Sequence, residues 1–222
     1  MTNKALIIGA SGGIGAALAG GLEARGAEVT RLSRRDDGLD LTDPASVERT
    51  LGALDGPFET VLVATGALEP DGHQPEKALR QISAEAMAAH FALNATGPAL
   101  VLRHLPRLLP RDRPSTFAAL SARVGSIGDN HLGGWHGYRA AKAALNQLVH
   151  GAAIELARTH RAAVCVVLHP GTVATRLTET HGAGHARVSP ETAAANLLGV
   201  LDGLTPANTG GFFDWAGKAV PW

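Results

Sequence analysis

A short apolar run, Ala5-Leu6-Ile7-Ile8, breaks into Gly9-Ala10-Ser11-Gly12-Gly13-Ile14-Gly15, and helical spacing begins at once. An uninterrupted apolar run suits a strand buried on both faces, as in a parallel sheet. Leu18 and Leu22, four apart, give the following segment one apolar face, and Gly26 marks its stop. The same alternation continues down the chain. Strands are predicted at 28–33, 39–41, 60–64, 116–120, 163–168 and 211–215. Helices are predicted from Asp43-Pro44, from Ser83, over 138–158 and from Pro190. Gly97-Pro98 is expected to perturb the helix that starts at Ser83. Strands alternating with helices give an α/β fold with a doubly wound parallel sheet.

The 222 residues are expected to form a single domain, 1–222, with no linker or repeat. A hydrophobic content of 45% with 18% charged residues excludes a disordered chain. Twenty basic and twenty acidic residues cancel, so the field needed by a general nucleic-acid binder or a polybasic membrane-surface protein is missing. No apolar run approaches the length of a membrane span or a signal peptide. The single cysteine, Cys165, allows no intrachain disulfide. These features predict a cytoplasmic protein without nucleic-acid or membrane partners.

The glycine turn carries the first functional signal. At a strand–helix junction, glycines permit a tight turn and let a pyrophosphate approach the backbone. The helix start offers unpaired N–H groups and a positive dipole end. Gly9, Ser11, Gly12, Gly13, Ile14 and Gly15 are therefore candidate cofactor-binding residues. About 20 residues further on, an acid would bind the ribose 2′-hydroxyl of NAD and repel the phosphate of NADP. Ser33-Arg34 stands there instead, and Arg34 can fork onto a phosphate. This favours NADP(H) over NAD(H).

Tyr138 and Lys142 are four apart at a helix start and share a face. A nearby ammonium favours phenolate, so Lys142 is expected to lower the Tyr138 pKa toward a useful range for acid–base chemistry.

The spacing Gly9-x-x-x-Gly13-x-Gly15, followed by Tyr138-x-x-x-Lys142, resembles the short-chain dehydrogenase/reductase family from end to end. The resemblance implies a Rossmann-type fold and interconversion of a carbonyl and an alcohol on a small-molecule substrate. It implies Tyr138 as proton donor and Lys142 as its partner and ribose holder. Asn94 would hold a relay water. Asp40-Leu41 matches the adenine-contacting pair, and Ala64 a backbone contact. His169-Pro170-Gly171-Thr172-Val173-Ala174-Thr175 matches the loop over the nicotinamide, with Pro170, Gly171, Val173 and Thr175 as contacts. The stretches 121–126 and Gly133-Gly134-Trp135 look most like the C-factor-like, carbonyl-reductase-like branch. Relatives usually form homodimers or homotetramers.

Two motifs depart from the family. Ala122 occupies the position of the catalytic serine in Ser-x-x-Gly, counted back from Gly125. Ser121 faces the other way on an ideal strand, so Ser126 is taken as the substitute donor. The family's Asn-Asn-Ala-Gly reads Val63-Ala64-Thr65-Gly66. Ala122 also keeps a second reading open, a catalytically weakened NADP(H)-binding regulatory or signalling protein. His181 and His185 have helical metal-pair spacing but lie among glycines, so no metal site is expected, and the segment reads as a lid over the substrate. Cys165 is read as a core residue; Trp135 and Trp222 could line the pocket or an interface, with simple packing the favoured reading.

Overall fold

The computed structural model describes residues 3–179 and 187–222. Its elements follow in chain order. β1 (Lys4–Ile8), α1 (Gly13–Ala24), β2 (Glu28–Leu32), α2 (Arg34–Asp37), α3 (Pro44–Gly52) and β3 (Thr60–Val63) form the first half. α4 (Ala84–Phe91), α5 (Gly97–Leu102), α6 (Leu105–Leu108), β4 (Ser115–Leu120) and α7 (His136–Leu156) come next. β5 (Ala163–His169), α8 (Arg176–Glu179), α9 (Pro190–Gly203) and β6 (Phe212–Asp214) complete the chain. The strands make one parallel sheet in the order β2-β1-β3-β4-β5-β6. Chain direction across the sheet reverses between β1 and β3. A crevice at the C-terminal strand ends is expected at such a switch point.

Side-chain alternation builds the two faces. Leu6, Ile8, Phe117, Cys165 and Val167 point to one side, where they pack with Leu51, Val101, Leu105, Leu145 and Val149 from the helices. Ile7, Leu62, Val164 and Val166 point to the other, against Leu18 of α1 and Leu197 of α9. Each fully buried leucine in these layers contributes about 2 kcal/mol. Cys165 is a core residue whose thiol burial pushes up to about 12, so it stays an inert thiol.

The predicted third strand at 39–41 is absent. Leu39 and Leu41 are buried, as a strand's alternation would require. Their segment joins no ladder, because local groups take its hydrogen bonds: Leu39 N donates to Ser33 O at 3.1 Å. Asp40 N donates to Ser46 Oγ at 3.1 Å, and Thr42 N donates to Asp40 Oδ1 at 2.8 Å. The perturbation expected at Gly97-Pro98 lies one turn earlier, as a π-helical turn over Ala92–Thr96. Pro98 lacks an N–H and crowds the carbonyl four residues back, and the wider turn relieves both. Gly97 is required there, since a Cβ would sit 2.8 Å from Leu41 Cβ.

Candidate active site

The glycine turn is as close as the sequence implied. A Cβ on Gly15 would lie 2.2 Å from Gly9 O, and one on Gly9 would lie 2.9 Å from both Ala64 C and Thr65 Cγ2. Gly9 also has φ 90°, which a side chain would strain. Gly12 caps α1 without a side-chain acceptor, so the first N–H groups of the helix are left for a ligand. Thr65 Oγ1 is buried near this turn with no hydrogen-bond partner. A cradle without side chains, a helix start without a cap and an orphaned hydroxyl together fit a dinucleotide phosphate.

A cleft of about 520 Å³ opens beside the turn. Ile14 lines it from the start of α1, Ala64 from just past the end of β3, Tyr138 and Lys142 from α7, and Pro170, Gly171, Val173 and Thr175 from the loop after β5. Its other walls are mainly apolar, including Leu68, Val124, Leu132 and Leu177. Trp135 lines the cleft as well, which is the pocket-lining alternative rather than the favoured packing reading.

Tyr138 and Lys142 are both buried, the Lys142 Nζ 5.9 Å from the centre of the tyrosine ring. Lys142 donates to Leu120 O at 2.9 Å. Burial lowers the lysine to about 8. Burial also raises the Tyr138 phenol well above its ordinary value. The expectation that Lys142 would pull the phenol down is therefore corrected. In this cleft desolvation prevails over a cation at that distance, and the phenol keeps its proton.

Asn94 lies behind the cleft, in the π turn. Its Oδ1 accepts from Ala67 N at 3.1 Å and its Nδ2 donates to Ala67 O at 3.0 Å. Gly66 leaves the space between Asn94 and Lys142 open. A Cβ there would lie 3.0 Å from Asn94 Oδ1 and 3.2 Å from Lys142 Nζ. Ser33 caps α2, its Oγ accepting from Asp36 N at 3.0 Å. Arg34 stands exposed at that helix start, and its charge adds to the lowering of Asp40. Asp40 and Leu41 sit in the turn that replaces the predicted strand, with Asp40 held low chiefly by hydrogen bonds from Thr42.

Ser126 does not reach the cleft. Its hydroxyl donates to Pro221 O at 2.5 Å and accepts from Asp129 N at 3.1 Å, tying the loop to the C-terminal segment. Ser121 does border the cleft, but its hydroxyl is spent on Asn146 Oδ1 at 2.6 Å. Ala122, extended at φ −144°, presents a methyl group at the cleft wall. His181 and His185 fall outside the described residues, as does most of the expected lid. Among the described residues no cluster of potential metal ligands occurs, and no helix is long and apolar enough to cross a membrane.

Several site residues escaped the sequence reading. His169 lines the cleft with its Nδ1 buried and unpartnered. Burial and the nearby Arg123 charge lower it to about 4 against the opposing pull of Asp214, so the ring is neutral at neutral pH. Asn146 was visible in principle, because Tyr138, Lys142 and Asn146 are spaced by four and share one buried helix face. Glu76 was not visible, since its partners lie some 60 residues away.

A doubly wound parallel sheet with a glycine cradle at its first turn, and a buried tyrosine–lysine pair across the cleft, defines a dinucleotide-dependent redox enzyme class. The short chain dehydrogenase family model matches residues 3–186, and the chain belongs to that family. It is 36% identical over 148 residues to C-signal of Myxococcus xanthus, covering 65% of this chain and 84% of that protein. It is 28% identical over 232 aligned positions to 1-hydroxy-2-glutathionyl-2-methyl-3-butene dehydrogenase of Rhodococcus sp. strain AD45, covering 98% of each. A carbonyl reductase of Pseudomonas aeruginosa, solved in complex with NADP, superimposes with a TM-score of 0.82 at 28% identity over the whole of both chains.

Proposed function

We propose that the chain, as one domain over residues 1–222, is an NADP(H)-dependent reductase that interconverts a carbonyl and an alcohol on a small, largely apolar substrate. The observation that carries this reading is a buried Tyr138, its phenol raised by burial, in a cleft that Ile14 of the glycine turn and the Pro170–Thr175 loop also line. Gly9, Ser11, Gly12, Gly13, Ile14 and Gly15 would hold the pyrophosphate. Arg34 and Ser33 would face the 2′-phosphate, Asp40 and Leu41 the adenine, and Ala64, Pro170, Gly171, Val173 and Thr175 the nicotinamide half. When bound, the nicotinamide supplies the hydride.

The chain's own residues supply the proton. Tyr138 donates it to the substrate oxygen as negative charge develops there. Lys142, charged below about pH 8, stabilises the phenolate left behind. Asn94, locked to Ala67, holds the inner end of the route by which the proton is replaced. With Ala122 at the serine position, Tyr138 is the principal donor to that oxygen. The protein is proposed to act as a homodimer or homotetramer, as the family usually does.

The test is calorimetric binding of NADPH and NADH, followed by NADPH consumption against a panel of aldehydes, ketones, diketones and quinones. Tighter binding of NADPH with turnover on some member supports the reading. Tight binding with no turnover on any member would favour the binding-only regulator that Ala122 suggests.

A further inference from the structure

The helix that carries Tyr138 begins without a local cap. Trp135 occupies the N-cap of α7 in a left-handed conformation, φ 50° and ψ 43°, and its side chain makes no capping bond. No acid occupies the first turn. The first N–H groups of a buried helix start need acceptors. Here they come from Glu76, in the loop between β3 and α4. Its main-chain oxygen accepts from Trp135 N at 2.5 Å. Both of its carboxylate oxygens lie 3.2 Å from Gly137 N. Glu76 is only 2% exposed, so this is a carboxylate drawn into the protein interior beside the positive end of a helix.

We propose that Glu76 is a positioning residue for Tyr138, capping α7 from outside and so fixing the phenol's place and its dry surroundings. The inference rests on the reading of Tyr138 as the proton donor. The contacts around the clamp are tight. A Cβ on Gly137 would lie 3.0 Å from Glu76 Oε1 and 2.6 Å from His90 Cδ2. His90 is fully buried with both ring nitrogens unpartnered, and its ring lies 6.0 Å from that of Tyr138. Burial holds this histidine neutral, against the pull of Glu76. The charged and titratable groups around the phenol are thus Glu76 from the loop, neutral His90 from α4 with His73 acting on it, Lys142 and Arg139 on α7 itself, and Arg123 and neutral His169 across the cleft.

Removing the carboxylate acts on the phenol in two ways that agree in sign. It takes away a negative charge that disfavours phenolate, and it loosens the helix start so that water reaches the ring. Both lower the Tyr138 pKa. Tyr138 is the chain's only tyrosine, so tyrosinate absorbance in an alkaline titration reports this residue alone, with or without turnover.

The experiment titrates the parent, Glu76→Gln and Glu76→Ala, with thermal melts to establish folding. Gln keeps an acceptor for Gly137 N without the charge, so it remains informative should Ala fail to fold. The expected result is reversible tyrosine ionisation at least about one pH unit lower in the folded variants than in the parent. It is accompanied by a fall of about tenfold to a hundredfold in kcat with KM and NADPH affinity little changed. Folded variants that ionise Tyr138 at the parent's pH overturn the proposal. Full turnover in Tyr138→Phe removes only the catalytic reading, because the titration still shows whether Glu76 governs the phenol.

Discussion

Ser121 Oγ, one residue past the end of strand β4, donates to Asn146 Oδ1 on helix α7 at 2.6 Å. The bond fastens the helix that carries Tyr138 and Lys142 to the sheet edge beside the cleft. It also removes the serine nearest to Ala122 from any role toward substrate, since its one proton is committed.

Ala122→Ser should therefore raise turnover. The new hydroxyl would stand at the cleft wall where a second donor to the substrate oxygen is missing. One such donor is commonly worth 10²–10³ in rate, and a gain of about tenfold to a hundredfold is expected here. The check is kcat with NADPH affinity measured alongside. An unchanged kcat would mean that the oxygen is already served by another group.

Lys142 sets a stability signature. Its folded pKa of about 8 lies below the ordinary 10.5, so between those values the unfolded chain binds the extra proton and stability rises with pH. Below about pH 8 the folded chain carries the full cost of a buried ammonium. Lys142→Met should be more stable than the parent at pH 7 by about 1–3 kcal/mol, allowing for the lost bond to Leu120. The difference should shrink as pH rises through 8 to 10.5. Denaturant melts without NADPH at several pH values check this.

His169 gives a second edge of the same sign at lower pH. Its folded pKa of about 4 lies below the ordinary 6.5, so its contribution is complete above 6.5 and is lost as pH falls toward 4. The parent should lose about 2–3 kcal/mol more than His169→Gln over that interval, an order-of-magnitude figure from the same linkage. Urea midpoints for the pair at the two ends of the interval measure it.

Gly15→Ala should destroy the cofactor cradle. A Cβ 2.2 Å from Gly9 O forces the turn open. Stability should fall by about 1–3 kcal/mol, and calorimetry should detect little or no NADPH binding. Retained tight binding would move the phosphate site away from this turn.

The sheet was legible because its buried strands are continuous apolar runs, and a parallel sheet covered by helices demands them. The same signal misled at Leu39 and Leu41. Both leucines are buried, but Ser46 and the Asp40 carboxylate take the main-chain bonds that a strand would need. That Tyr138, Lys142 and the glycine turn would come to one cleft could be read from the sequence, because each is a short motif on one element. Ser126 was misjudged because its partner, Pro221, lies 95 residues away. Glu76 was invisible for the same reason, since no local spacing announces an acceptor 61 residues from its donor.

The most direct measurement is NADPH consumption by the parent and by Tyr138→Phe on a substrate that the parent turns over, with NADPH binding measured on both. The account predicts that Tyr138→Phe binds NADPH much as the parent does and loses turnover by at least about 10²-fold, the contribution of a positioned acid. Turnover retained in Tyr138→Phe, with the cofactor bound normally, would contradict it.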